Sequence, residues 1–270
     1  MKSLRFTYKT GAALSASRKI LKRRAELSAG YRELIQFAAA SLNTDGTHPA
    51  IEKAFFIKDN ELAATDGRIL IRISGQPGAV AVPKGCVVTP EDFAAALKSE
   101  DPSGTLYESA AARGPDSGYT YPDIDPVTPV CAEYILGDSA VSDLELQAER
   151  VNAVLSCGNP RPEPCRISLT DDGVSLSAST VYASIKCTPV PVTRTVSYPP
   201  AEIPDEYISG VKAERLARAL TLMELCDAGS VRAHFAAYDT EHGTADMFSG
   251  TVGPLTVTVV IVGCGCDSMN

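Results

Sequence analysis

The sequence predicts an α+β fold in which one unit, helices packed against antiparallel meanders, is used twice. Three observations lead there. Helical spacing and strand alternation follow one another in blocks along the chain. Two pairs of segments match in the same order: Leu62-Ala63-Ala64-Thr65 with Leu176-Ser177-Ala178-Ser179 at an offset of 114, and Val88 to Leu97 with Val211 to Leu220 at an offset of 123. Between them, Tyr121 to Pro129 places Pro122, Pro126 and Pro129 within nine residues. The boundary is set there, giving units at 1–129 and 130–270.

Leu4, Phe6 and Tyr8 alternate with Arg5, Thr7 and Lys9, which is the period of a half-buried strand. Ser17 to Ser28 follows as a helix with Ile20, Leu21, Ala25 and Leu27 on one side. Arg18/Lys22 and Lys19/Arg23 are then like-charge pairs four residues apart, each costing roughly a few tenths of a kcal/mol, a cost that an anion nearby would offset. Gly30 is expected to break this run before a second helix, Tyr31 to Ser41, with Leu34, Ile35, Ala38, Ala39 and Leu42 at helical spacing. Ala50 to Lys58 reads as a strand, Asp59-Asn60 as a turn and Glu61 to Ala64 as the return. Thr65-Asp66-Gly67 then leads into Arg68 to Ser74, where Ile69, Ile71 and Ile73 alternate with Leu70 and Arg72. Thr89-Pro90-Glu91-Asp92 supplies a cap, a first-turn proline and first-turn acids, so Pro90 to Lys98 is a short helix with Phe93 and Leu97 inward.

The second half repeats the order. Ser142 to Leu155 is a helix with Leu144, Ala148, Val151 and Leu155 on one face. Arg166 to Thr170 and Val174 to Ala178 form a hairpin about Asp171-Asp172-Gly173, and Val181 to Cys187 continues the sheet. Val211 to Leu225 is a helix with Leu216, Leu220 and Met223 inward and Gly229 as terminator. Val231 to Tyr238, Ala245 to Ser249 and Leu255 to Val262 close the chain as strands.

The 270 residues are 44% hydrophobic and 21% charged, an ordinary globular composition. No apolar run reaches the roughly 18 residues of a spanning helix, and no signal-peptide stretch opens the chain, so a cytoplasmic protein with reduced thiols is expected. The net charge of -8 is unevenly placed: residues 1–32 carry nine bases against Glu26 alone, while the remainder is strongly acidic. A concentrated basic arm on an acidic body suits a protein that touches a polyanion at one place. Catalysis is not expected. His48, His234 and His242 are the only histidines, no nucleophile elbow or phosphate-binding loop occurs, and the Asp123/Asp125 and Asp171/Asp172 pairs lie in turn-rich sequence. No cofactor or metal is implied, since no cysteine spacing fits a zinc set.

Several of these segments resemble the bacterial and phage DNA sliding clamps, the beta-subunit family of the replicative polymerase. Leu34-Ile35-Gln36-Phe37-Ala38, Ala50 to Ile57, Leu62 to Arg68, Val82-Pro83 and Tyr121-Pro122-Asp123-Ile124 resemble the middle clamp domain in order and spacing, and Ala64-Thr65-Asp66-Gly67 is the most specific piece. Residues 131–262 resemble the last clamp domain. Arg68-Ile69-Leu70 stands where the family has His-Arg-Leu, and Val260-Ile261-Val262 where it has Met-Pro-Met.

The resemblance implies duplicated clamp domains with antiparallel sheets outside and helices on an inner face. It implies a processivity factor that encircles duplex DNA without reading sequence and tethers polymerase or clamp-loader peptides. Six domains per ring and two per chain would make a homotrimer, with edge strands such as Leu4–Tyr8 or Val231–Tyr238 pairing between copies. The candidate phosphate contacts are Arg18, Lys19, Lys22, Arg23, Arg24, Arg32, Arg150, Lys212, Arg215 and Arg218. Carried over by position, the partner-peptide pocket would hold Thr65, Gly67, Leu70, Pro129 and Val260, with Arg68 at its edge. Core packing is the competing reading for Leu70 and Val260. The alternative function is a clamp-fold accessory or regulatory protein that binds replication partners without encircling DNA.

Overall fold

A computed structural model describes residues 29–42, 51–58, 60–75, 82–115, 133–157, 165–195, 206–208, 212–240 and 243–262. The expected strand Leu4–Tyr8, the helix Ser17–Ser28 and the proline cluster Tyr121–Pro129 lie outside them. In chain order the elements are α1 (29–40), β1 (Ala54–Lys58), β2 (Glu61–Thr65), β3 (Ile69–Ser74), β4 (Val87–Val88), α2 (Pro90–Lys98) and α3 (Pro102–Arg113). The second half contains β5 (Glu133–Ile135), α4 (Asp138–Ser156), β6 (Arg166–Thr170), β7 (Gly173–Ser179), β8 (Ser184–Lys186) and β9 (Thr193–Thr195). It closes with β10 (Glu206–Ile208), α5 (Ala213–Met223), β11 (Arg232–Thr240), β12 (Gly243–Val252) and β13 (Leu255–Val262).

The fold is α+β, with antiparallel pairing throughout the strands. A helix followed by a three-stranded meander occurs three times: α1 with β1–β3, α4 with β6–β8, and α5 with β11–β13. In each case a strand that precedes a helix pairs with the first strand of a meander: β4 with β1, β10 with β6 and β5 with β11. The sequence matches fall on equivalent places, the first on β2 and β7, the second on α2 and α5. The first half differs in one respect. Among the described residues no meander follows α2 and α3.

The meanders join at their last strands. β3 pairs with β13 from Ser74 opposite Thr256 to Ile69 opposite Ile261, which makes one nine-stranded sheet, β4-β1-β2-β3-β13-β12-β11-β5-β9. A second sheet has the order β10-β6-β7-β8. Ile69, Ile71 and Ile73 on β3 and Val257, Val259 and Ile261 on β13 face inward and are buried. With the apolar faces of α1, α4 and α5 they form one continuous core that crosses the seam.

The helices form a row. Arg32 of α1 donates to the carbonyls of Leu97 and Ser99 (2.8 Å for the latter) at the end of α2. The Arg218 guanidinium of α5 lies 5.4 Å from the Phe37 ring centroid of α1. On the far side, Ser142 Oγ of α4 donates to Glu224 Oε1 beyond α5 at 2.6 Å. The order is therefore α2, α1, α5, α4, with α3 packed on α2 and the Tyr107 ring stacked on Tyr31 and tilted against Phe56.

Several local expectations are corrected. Gly30 is the second residue of α1 rather than a break; a Cβ there would lie 3.1 Å from Val252 Cγ1, so the glycine serves a close helix-to-sheet approach. α5 stops at Met223, with Glu224 as cap, and Gly229 belongs to the turn before β11. α4 starts four residues earlier than expected, at Asp138. α3 has no counterpart among the expected elements, although Asp101 caps it through Gly104 N at 3.0 Å and Pro102 opens it. Cys86, Cys157, Cys187 and Cys226 are free thiols, and burial pushes Cys165 and Cys226 up to about 12, far from reactive thiolate. Among the described residues no helix is long and apolar enough to cross a membrane, and no cluster of three metal-capable side chains occurs.

Candidate peptide site and nucleic-acid interface

On the outer face of the nine-stranded sheet the side chains alternate away from the core. The register places Thr65 opposite Leu70, Leu70 opposite Val260, Val260 opposite Met247, and Met247 opposite His234, in a row crossing β2, β3, β13, β12 and β11. Leu70, Val260, Met247, Ala245 and Val262 form an apolar cluster separate from the main core, with Leu70, Met247 and Val262 only partly covered. Three expected pocket residues, Thr65, Leu70 and Val260, are thus neighbours on the seam between the halves.

The β2–β3 turn holds the next two. Thr65 Oγ1 donates to Ile69 O at 2.7 Å and accepts from Gly67 N at 3.0 Å. Asp66 Oδ1 accepts from Arg68 N at 2.8 Å and Ile69 N at 2.7 Å. The Thr-Asp pair thereby closes a tight turn, and Gly67 takes φ +83° within it. Arg68 is exposed at the rim, while its carbonyl accepts from Val262 N at 2.8 Å and ties the turn to β13. Pro129 lies outside the described residues.

Reasoning from sequence missed Met247, Ala245 and the polar end of the row. Only the alternation in Ala245–Ser249 could have pointed to the first two. At that end His234 Nε2 lies 3.6 Å from Glu133 Oε2, and Arg232 Nε 3.8 Å from Glu133 Oε1. Burial pulls His234 below the ordinary imidazole value, with Glu133 pulling the other way.

The expected phosphate contacts fare unevenly. Arg18, Lys19, Lys22, Arg23 and Arg24 lie outside the described residues. Arg32 is half-buried and committed to the α2 carbonyls, so its charge binds helix to helix. Arg218 is held on Phe37, and Arg215 has its Nη1 buried without a partner among the described residues. Lys212 is half-buried at the cap of α5, and Arg150 is exposed on α4. Against the six bases on the five helices stand nine acids: Glu33, Glu91, Asp92, Glu108, Asp138, Asp143, Glu145, Glu149 and Glu214. Glu145 and Glu224 meet beside Thr221, and burial together with Glu224 raises the Glu145 carboxyl despite its hydrogen bond from Thr221. Between α1 and α5, Phe37, Ala40, Leu222 and Leu225 line an open groove of about 290 Å³. The described helix row is acidic, and the positive charge of this chain lies ahead of it.

No protein-family model matches the chain, and no curated protein does. Solved structures do. The chain is similar to the DNA polymerase III beta subunit of Thermotoga maritima at 11% identity and TM-score 0.57, covering 87% of this chain and 64% of that one. It is similar to the DnaN sliding clamp of Pseudomonas aeruginosa bound to griselimycin, at 13% identity and TM-score 0.55, covering 88% and 63%. The beta subunit from the DNA polymerase of Streptococcus pyogenes aligns at 9% identity and TM-score 0.53, covering 86% and 64%. The fold is that of the DNA polymerase III beta sliding clamps. This is a clamp-fold protein, and it spans less than two thirds of the length of the clamps it matches.

Proposed function

We propose that this chain is a sliding-clamp-type protein of DNA replication that tethers a polymerase or clamp loader to duplex DNA. The observation that carries the reading is the Thr65–Leu70–Val260–Met247 row on the seam of a clamp fold. An apolar floor with a polar rim suits a short apolar peptide, with Leu70, Val260 and Met247 as anchors, Gly67 and Arg68 at the rim and Pro129 closing one side. The units are 1–129 and 130–270, each a clamp-like domain, in a cytoplasmic protein that performs no chemistry itself.

DNA is held without reading sequence, through Arg18, Lys19, Lys22, Arg23 and Arg24, with Arg150, Lys212, Arg215 and Arg218 as minor contacts. A closed homo-oligomeric ring would convert those loose contacts into a topological hold. Retention on nicked circular DNA and loss on linearisation is the expected result, and equal retention on both would refute encirclement.

Two observations favour a second reading, in which the clamp fold binds replication partners without encircling DNA. The described helices carry more acids than bases, and among the described residues no meander follows α3 to offer a neighbour the counterpart of β13. A short fluorescent peptide with apolar side chains at its end tests the part common to both. It should bind the native chain and lose at least about tenfold in affinity, near 1.4 kcal/mol, with Leu70→Asp; unaltered binding would refute the site.

A further inference from the structure

We propose that the basic segment Ser17–Ser28 docks on this chain's own helix row, in the groove between α1 and α5, and turns that acidic wall into a cationic one. The docking itself does not depend on the tethering function. Its consequence for DNA rests on that reading.

The groove suits a cover that is apolar beneath and positively charged at its margins. Phe37 and Leu225 are only half-buried along it, Leu222 is buried at its floor, and Ala40 is exposed beside Phe37. The Arg218 guanidinium covers one face of the Phe37 ring. Carboxylates flank both walls. Glu33 stands exposed on the α1 side, and Glu145 and Glu224 meet beside Thr221 on the α5 side. Burial and Glu224 raise the Glu145 carboxyl, and a cation brought alongside would relieve that crowding.

Position, length and charge all point to the same occupant. The segment ends at Ser28 and α1 opens at residue 29, so only a turn separates the two. With Glu26–Ser28 as the connection of a helical hairpin, Ser17–Ala25 runs back along α1 as a helix of roughly 13 Å, enough to come level with Phe37. Ser17, Ile20, Leu21 and Arg24 follow at i, i+3, i+4 and i+7 and share one side of it, while Arg18, Lys19, Lys22 and Arg23 take the opposite side. The chain ahead of α1 carries eight bases against Glu26 alone and faces a row rich in acids. Tethering to α1 makes the encounter intramolecular and keeps the local concentration high.

Ile20 and Leu21 therefore enter the groove against Phe37, Leu222 and Leu225, and Arg24 comes level with Glu33. Arg18, Lys19, Lys22 and Arg23 point away from the row, where phosphates offset the repulsion within their like-charge pairs. This narrows the five arm contacts proposed for DNA to four.

Maleimide labelling of Ala40→Cys in the full chain without DNA, read by mass spectrometry of the peptide around position 40, tests the docking. Labelling should be slow with the native segment and at least about tenfold faster when Ile20→Asp/Leu21→Asp is added. Arg24→Gln should speed it as well. If circular dichroism shows that the Asp pair disturbs the fold, Ile20→Ser/Leu21→Ser is read in its place. Fast labelling with the native segment, or slow labelling that persists in these variants, overturns the proposal. Protection that fades as the protein is diluted would place a second copy's segment in the groove and overturns it too. Since DNA is absent, failure here leaves encirclement standing, and equal retention on circular and linear DNA would leave the docking standing.

Discussion

Gly67 holds φ +83°, and a Cβ added there would meet nothing nearer than Ile51 Cδ1 at 3.6 Å. The penalty for a side chain is therefore conformational rather than steric, about 1–2 kcal/mol. Gly67→Ala should lower the urea midpoint accordingly while leaving the strand register intact. His234 gives a pH dependence whose sign is fixed by burial. Its folded value lies below the unfolded one near 6.5, so the associated stability is complete above 6.5 and declines as pH falls through the folded value. Melting curves at pH 5, 6 and 7 should show that acid-side loss shrinking in His234→Gln. Glu145 has the opposite sense. Burial and Glu224 raise its carboxyl, so stability is lost as pH rises through the folded value. Glu145→Gln should melt above the native chain at pH 7, with the gap closing toward pH 4.

At the scale of elements, Arg32 decides how α1 meets α2. Hydrogen bonds from a charged donor contribute about 1.5–3 kcal/mol, so Arg32→Met should destabilise by about 2 kcal/mol in a denaturant titration without changing the salt dependence of DNA binding. A sequence reader sees the basic residue but not the carbonyls of Leu97 and Ser99, because they come from the end of a helix 65 and 67 residues away. The same limit governs the rest. β2, β3, α2 and the β6–β7 hairpin were legible because period and turn chemistry are local: the Thr89–Asp92 capping box is complete, and Ile69, Ile71 and Ile73 alternate as expected. β4, β5, β9 and β10 have two or three residues each, too few for any period to register. α3 buries only one stripe around Leu106, Tyr107 and Ala110 and offered little amphipathic signal. As an arrangement of neighbours, the row proposed to take a peptide was half legible. The resemblance supplied Thr65, Leu70 and Val260, but Met247 and His234 join only because β12 and β11 lie beyond β13 in the sheet order.

Across the whole molecule the decisive quantity is where charge sits. The described helices are net acidic, whereas residues 1–32 carry a net +8. Replacing Arg18, Lys19, Lys22 and Arg23 by Gln should therefore flatten the dependence of DNA affinity on salt, by up to about 0.9 in log-log slope per phosphate contact removed. An unchanged slope would remove these four residues from the interface.

The β3–β13 ladder has a mechanical corollary. Six paired positions, extended by Val262 N to Arg68 O, stitch the two halves edge to edge. Bending there would tear several hydrogen bonds at once, so a peptide docked as proposed would encounter a stiff floor of fixed width. Its ordering penalty falls on the visitor alone, and affinity should track how rigid that visitor already is.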